Sequence, residues 1–345
     1  MKKRVAIICG GRSSEHQISC ISARGVLAAI DKELFDPVLI GITPSGKWVS
    51  LNSSDDFAKD KDGLPVVPES SHEINFSELK VDVAFPLLHG AYGEDGTIQG
   101  LFEMTDLPYV GSGVLASAVA MDKTFAKPIY ADFGLKVADG ITVHKRDWQQ
   151  NQALELAKIS ALGFPLFVKP SRSGSSRGTT KVKSEGEIST AIQFAHEHDP
   201  KALVEVAIKG REVECAVLEI DGKATASVIG EIRVHEAHEF YDFEAKYLDG
   251  LTSFDVPANI PEKISNQIRE AAVTAFEALG CEGLARVDFF LTNDNELLIN
   301  ELNTMPGFTN TSVFPMLWQA SGLSYTALIT QLINSALQRN RGVVR

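Results

Sequence analysis

The 345-residue sequence is poor in cysteine and has no long apolar run. Its four cysteines, Cys9, Cys20, Cys215 and Cys281, form no C-x-x-C pair. A chain of this length is no disulfide mini-scaffold, so they read as reduced, mostly buried thiols of a cytoplasmic protein. No apolar stretch approaches the length of a transmembrane helix, which excludes a membrane-spanning role by helices. Met1-Lys2-Lys3-Arg4 imitates the basic start of a signal peptide. The apolar run behind it, Val5 to Cys9, stops at Gly10-Gly11 and is too short to complete one. Basic charge is also scarce: 33 lysines and arginines stand against 45 acids, a net charge of −12. That balance argues against a general nucleic-acid role, while a local basic site could still hold phosphates. No internal repeat is evident.

The length predicts two or three domains, and 44% hydrophobic residues supply their cores. Val5 to Cys9 reads as a buried parallel strand, Gly10 to Ser13 as a turn, and Ile18, Ile21, Gly25, Ala28 and Ala29 share one helical face. Pro37–Ile42 and Val81–Leu88 read as further strands, so the chain opens as a doubly wound α/β unit. Residues 52–78 are polar and read as a surface excursion. Gly111-Ser112-Gly113 marks a first boundary. Strands at 165–169, 179–183 and 202–207 follow, with Ser184-x-x-Glu187 resembling a capping box before a helix. That helix ends at His196 and His198, which can complement its dipole. A third region starts near Lys209. Its charged, aromatic segment 235–256 has no clean period, as lids and binding loops often do not. Pro261 opens a helix that Gly280 is placed to end.

Segment 284–303 carries the most chemistry. Ala285, Val287, Phe289 and Leu291 alternate with Arg286, Asp288 and Phe290; Asn293-Asp294-Asn295 is a turn signal. Leu297, Ile299, Glu301 and Asn303 then alternate with Leu298, Asn300 and Leu302. A hairpin centred between Asp294 and Asn295 sets Asp288 opposite Glu301 and Arg286 opposite Asn303. Two facing carboxylates, their Cβ atoms about 5 Å apart, repel. A divalent cation between them relieves this, and two carboxylates with an amide suit magnesium. The alternative is an exposed hairpin face on which Arg286 neutralises both acids.

Lys169 ends an apolar strand before Pro170-Ser171-Arg172-Ser173-Gly174-Ser175-Ser176-Arg177-Gly178. Small residues let backbone N–H groups approach phosphate oxygens, though a plain flexible loop would look the same. It is not a Walker A loop, since no G-K-[ST] step is present. Gly174-x-Ser176-x-Gly178 also matches a hydrolase nucleophile elbow, but the extended run after it contradicts the helix that an elbow needs. Gly111-x-Gly113-x-x-Ala116, with Asp132 beyond it, matches a dinucleotide fingerprint. It comes late for a first strand–helix turn and reads as a joining turn. His235-x-x-His238 lacks a helix and thiolate partners, so solvated surface is the preferred reading over zinc.

Taken in order, Gly10-Gly11-Arg12-Ser13-Ser14-Glu15-His16, His89-Gly90-Ala91-Tyr92-Gly93-Glu94-Asp95-Gly96, Met121-Asp122-Lys123, Lys169 to Gly178, Arg286-Val287-Asp288 and Glu301 to Gly307 resemble the D-alanine–D-alanine ligases, an ATP-grasp family. The resemblance implies a mixed α/β fold of three domains: a Rossmann-like N-terminal domain (1–112), a central ATP-grasp domain (113–208) and a C-terminal one (209–345) with a lid at 235–256. It implies ligation of two D-alanines with ATP for peptidoglycan precursors, in a cytoplasmic homodimer. Lys123 and Lys169 would contact ATP phosphates, Glu205, Val206 and Ile208 the adenine, and Glu212 the ribose. Asp288, Glu301 and Asn303 would hold two magnesium ions, with manganese as a substitute. Glu15 would orient the first D-alanine's ammonium, and Ser175 and Tyr247 would link it to the loop over the site. Lys246 would approach the transferred phosphate, and Arg286 and the Gly307 N–H would hold the oxyanion. His89, Ser312 and Val313 would line the substrate sites.

The implied chemistry is physically coherent. A carboxylate is a poor acyl donor until phosphorylation supplies a leaving group, and the resulting acyl phosphate needs shelter from water. Glu239 to Tyr247 resembles the lid of dipeptide-forming members, whereas D-alanine–D-lactate ligases, the alternative, often lack the tyrosine matching Tyr247. Ser173 departs from relatives that often carry an acid there, and 249–254 departs in length and composition.

Overall fold

The computed structural model describes residues 2–174, 176–234 and 252–339. The chain opens with β1 (Lys3–Gly10), α1 (His16–Ala29), β2 (Phe35–Ile42) and β3 (Trp48–Leu51). A small ladder of β4 (Ala58–Lys59) and β5 (Pro65–Val66) precedes β6 (Val83–Pro86) and α2 (Thr97–Met104). The first sheet runs β3-β2-β1-β6, with β1 parallel to both neighbours. Val5, Ile7 and Cys9 face one core with α1, while Ala6 and Ile8 face another with α2. Burial on both faces explains the unbroken apolar run. The excursion at 52–78 is more than surface, because Phe57 and Val67 are buried in the core beneath α1. Single apolar residues among polar ones leave no period to read.

The middle of the chain contains α3 (Val114–Met121), α4 (Lys123–Asp132), β7 (Gly140–His144), α5 (Lys145–Gln150), α6 (Gln152–Ser160), β8 (Leu166–Pro170), β9 (Thr180–Val182), α7 (Glu185–His198) and β10 (Lys201–Val206). An antiparallel sheet in the order β7-β10-β8-β9 carries α7 on its face through Ile188, Ala191, Ile192 and Ala195. Strand β9 after the glycine-serine loop rules out the nucleophile elbow. The expected capping box is incomplete: Ser184 donates to Glu187 at 3.1 Å and accepts no helix N–H. His196 turns inward to the Val143 carbonyl, 3.1 Å away. Burial lowers its pKa, so it does not supply the cation expected at that helix end. The Gly111–Gly113 turn is occupied by protein, since Ser112 Oγ donates to the Glu282 carbonyl and accepts the Glu282 N–H.

The rest comprises β11 (Gly210–Ile220), β12 (Lys223–Val234), β13 (Thr252–Asp255), α8 (Glu262–Ala278), β14 (Leu284–Thr292), β15 (Leu297–Asn303), α9 (Val313–Ala320) and α10 (Tyr325–Gln338). They build an antiparallel sheet in the order β13-β12-β11-β14-β15. Helices α3, α4 and α8 share its core through Ala120, Tyr130, Ala272, Val287 and Phe289. The segment read as patternless thus ends in a strand, β13, and its residues 235–251 lie outside the described ones.

The β14–β15 hairpin pairs Asp288 with Glu301 and Arg286 with Asn303, as expected. Near the turn the register differs: Phe289 faces Ile299 and Leu291 faces Leu297. The turn is Asn293–Asn295, with Asn295 left-handed at φ 60°, and a bulge at Asn300 restores the expected pairing beyond it. The bulge also reverses the alternation. Leu297 and Ile299 join the apolar core, contrary to the expectation that they share a face with Glu301 and Asn303.

Helices α9 and α10 return to the first sheet. Phe308, Phe314, Leu328 and Leu332 share one core with Ile7, Cys20 and Phe85. The Phe308 ring is fully buried, 5.4 Å from Phe85 and 5.8 Å from Phe314 between centroids. Phe308→Ala should lower the unfolding free energy in urea by about 3–5 kcal/mol, the usual cost of truncating a buried phenylalanine. An unchanged midpoint and slope would show that this junction is not under tension from packing.

Candidate active site

A cleft of about 320 Å³ opens between the second and third sheets. Its walls include Phe167 from β8, Val206 at the end of β10 and Ile208 just beyond it, and Phe290 from β14. Glu212 lies at one end; Lys123, Lys169 and Glu301 lie at the other. The loop after β8 is anchored on its near side. Arg172 grips Asp199 with Nε, Nη2 and its backbone N–H, each at 2.9 Å. Ser171 donates to Asp122, which also pairs with Lys201 and caps α4.

Charges along the floor are paired. Glu205 sits between Lys127, 2.6 Å from Oε1, and Lys169, 2.5 Å from Oε2. Burial alone would raise its pKa, but the two ammonium groups outweigh burial and lower it. Gly140 on β7 makes room, because a Cβ there would meet the Val204 carbonyl at 2.6 Å and Glu205 Cγ at 2.9 Å. Lys123 reaches Glu301 at 3.0 Å and the Ser173 carbonyl at 3.1 Å. Burial would lower the Lys123 pKa, but Glu301 reverses this and raises it. Arg286 holds Asp288 with two bonds of 2.7 Å and lies 3.1 Å from Glu214 on β11. Asn303 donates to Asp288 at 3.1 Å. Asp288, Glu301 and Asn303 therefore offer oxygens on one face, and turning the Asn303 amide over would present its own oxygen. This donor set fits a hard cation. Among the described residues, no group of three or more His, Cys, Asp and Glu gathers as a metal site. Two carboxylates and an amide are a different set.

Beyond this floor the loops of the first sheet meet those after β15. Glu15 begins α1, and its N–H donates to Ser13 Oγ at 3.1 Å. Gly90 is left-handed at φ 71°, and a Cβ on it would lie 2.7 Å from Glu15 Oε2. Only glycine brings that backbone so close to the carboxylate. A Cβ on Gly174 would lie 3.5 Å from the same oxygen, so Glu15 also borders the phosphate-type loop. Glu94 accepts from the N–H groups of Gly90 at 2.7 Å and Met305 at 3.2 Å. His89 bonds the Met305 carbonyl at 3.0 Å and Ser22 at 3.1 Å. Gly307 lies against Ser312, which precedes Val313 and the first turn of α9.

Of the sequence-derived residues, Lys123, Lys169, Glu205, Val206, Ile208, Glu212, Asp288 and Glu301 line the cleft; Asn303 and Arg286 adjoin it at Asp288; Glu15 and His89 lie in the loops beside it; and Gly307, Ser312 and Val313 lie beyond, where the loop after β15 enters α9. Ser175, Lys246, Tyr247, His235 and His238 lie outside the described residues. Four contributors were missed. Lys127 is one helical turn after Lys123, a spacing that was readable. Glu214 lies between Val213 and Cys215 on β11, a strand that also carries Glu212 and Glu219, and nothing in that pattern sets it apart. Asn300, which Lys169 meets at 3.3 Å, is exposed to the cleft by the bulge. Glu94 stood within a quoted motif without a role.

Burial and the nearby Glu15 push the Glu94 pKa up to about 8. The folded state then keeps a proton that the unfolded chain releases near its ordinary value of about 4.3. Stability from this group falls as pH rises between those values and is level above the higher one. Glu94→Gln removes that slope. Thermal midpoints should show the variant gaining on wild type up to about pH 8 and holding constant above it. Parallel curves would show that Glu94 ionises as an ordinary carboxyl.

Comparison with known proteins agrees over nearly the whole chain. The D-ala D-ala ligase N-terminus family matches residues 4–112, and the D-ala D-ala ligase C-terminus family matches 129–334. A D-alanine–D-alanine ligase of Pseudarthrobacter chlorophenolicus is 47% identical over 99% of this chain and 96% of its own. Its counterpart in Streptomyces avermitilis is 45% identical with the same coverage. Among solved structures, the VanG D-Ala:D-Ser ligase of Enterococcus faecalis superposes with a TM-score of 0.82 at 38% identity, covering 97% of this chain and 100% of that one. The D-alanine-D-alanine ligase of Coxiella burnetii gives 0.80 at 33%, covering 97% and 94%. The architecture is the ATP-grasp fold, and the chain belongs to the D-alanine–D-alanine ligase family of ATP-dependent ligases.

Proposed function

We propose that this chain joins two D-alanines into D-alanyl-D-alanine through an acyl phosphate, consuming ATP, as a step in building peptidoglycan precursors. The observation that carries this reading is the meeting of the 89–94 loop, which borders Glu15 at Gly90, with Met305 of the Gly307 loop, beside a cleft floored by paired lysines and acids. In this scheme Lys123 and Lys169 hold the phosphates, Glu212 the ribose, and Glu205, Val206 and Ile208 the adenine edge. Glu15 takes the ammonium of the first amino acid, so its carboxylate turns toward the phosphates. Arg286 and the Gly307 N–H receive the oxyanion formed when the second amine attacks. The first turn of α9, at Ser312 and Val313, suits the second substrate's carboxylate.

Asp288, Glu301 and Asn303 are the residues that would hold magnesium. When bound, it offsets negative charge on the phosphoryl group in transfer. Ser175, Lys246 and Tyr247, which lie outside the described residues, keep the roles implied by resemblance. The three-unit division near 112 and 208 belongs to this proposal and is supported by the three sheets, although α3 and α4 pack on the third. So does a homodimer, which light scattering would test. A cytoplasmic site accords with the finding that no helix among the described residues is long and apolar enough to cross a membrane.

The test is phosphate release from ATP with D-alanine alone, then with D-lactate or D-serine added, and products identified by mass. D-alanine alone should suffice, and D-alanyl-D-alanine should dominate at neutral pH. No D-alanine-dependent release would end the ligase reading; a predominant mixed product would reassign the second substrate. Glu301→Gln should abolish turnover with an unchanged circular dichroism spectrum. Retained activity would remove Glu301 from the metal set.

A further inference from the structure

The loop that carries Gly307 is not held by its own sheet alone. Both backbone groups of Met305, two residues earlier, are gripped by side chains from the first sheet's loop. The Met305 N–H donates to Glu94 Oε1 at 3.2 Å, and its carbonyl lies 3.0 Å from His89 Nδ1. A carbonyl can only accept, so Nδ1 carries the hydrogen. Nε2 of a neutral ring then accepts from Ser22 Oγ, 3.1 Å away on α1. Burial lowers the His89 pKa, in keeping with a neutral ring. Both ring nitrogens are thereby engaged with protein. The second Glu94 oxygen accepts the N–H of Gly90, at 2.7 Å, and Gly90 is the residue whose missing Cβ leaves room for Glu15.

From this geometry we infer that Glu94 and His89 are positioning residues that clamp Met305 and so set the distance between Glu15 and the Gly307 N–H. The inference rests on the ligation reading, in which those two groups hold opposite ends of one amino acid: its ammonium and its reacting carboxyl. An error of about 1 Å between such groups can cost a hundredfold in rate. His89 thus acts on the loop rather than on the substrate. A side chain at each end of one peptide residue fixes translation and tilt together, which a single bond does not.

The test compares Glu94→Ala, His89→Ala, the double variant, Glu94→Gln and His89→Asn. Each alanine variant should lower kcat by about 10–100-fold while KM for ATP stays within about twofold. The double variant should lose little more than the worse single one, because both bonds hold the same residue. Glu94→Gln keeps an acceptor oxygen and His89→Asn keeps a donor near the Nδ1 position, so both should recover part of kcat. Amide hydrogen exchange gives a readout independent of turnover: the peptide spanning 303–309 should exchange faster in the alanine variants, with the cores elsewhere protected as in wild type. Unchanged exchange, additive losses, or a kcat within about threefold of wild type would each overturn the clamp. If wild type shows no D-alanine-dependent phosphate release, the ligation reading has failed, and the exchange arm alone decides whether the clamp exists.

Discussion

Carboxylates taken out of water stay ionised only where cations reach them, and that constraint organises this cleft. Glu205 on β10 is met by Lys127 from α4 and Lys169 from β8; Glu301 on β15 is met by Lys123 from α4. Arg286 lies between Asp288 on its own strand and Glu214 on the next. Because α4 packs on the third sheet while β8 and β10 belong to the second, the Lys127–Glu205 pair ties two sheets across the opening, as does Lys169 where it meets Asn300 on β15. Removing one member would leave its partner charged and buried, which costs more than the pair contributes. A polyanion entering here meets lysines already paired with acids, so binding exchanges one set of partners for another.

How far this could be read beforehand depended on the range of each interaction. The two-residue period of β14 was visible because one face is buried throughout, as was the apolar run of β1. The pairing of Asp288 with Glu301 came out right through two compensating local features. The turn is centred on Asp294 and not between Asp294 and Asn295, which shifts the pairing by one residue, and the bulge at Asn300 returns it. A period alone cannot announce a bulge, since the inserted residue obeys neither face.

Contacts between distant segments left weaker traces. Glu94 interrupts nothing, and its partner Met305 lies 211 residues away. Glu214 is one of three glutamates on β11 and has no evident purpose until Arg286 is seen beside it. Family motifs supplied the adenine, ribose and substrate roles, because spacing had reached only an acid pair and a phosphate-type loop. Gly90 and Gly140 show the converse: their meaning is the side chain they admit, Glu15 in one case and Glu205 in the other. That can be found only by building the absent atom.

The core shared by the first sheet and the last helices has a consequence for how the chain is made. Val5, Ile7 and Cys9 leave the ribosome well before Phe308, Phe314, Leu328 and Leu332, which complete the core they share with α1. The opening strands and α1 can pack early, but part of that core stays open until those later residues have emerged. Contacts this far apart in sequence slow folding and leave surface open to association. The residues that close that gap flank the Gly307 loop. Completion of the fold and assembly of the reacting end of the cleft are therefore the same late event.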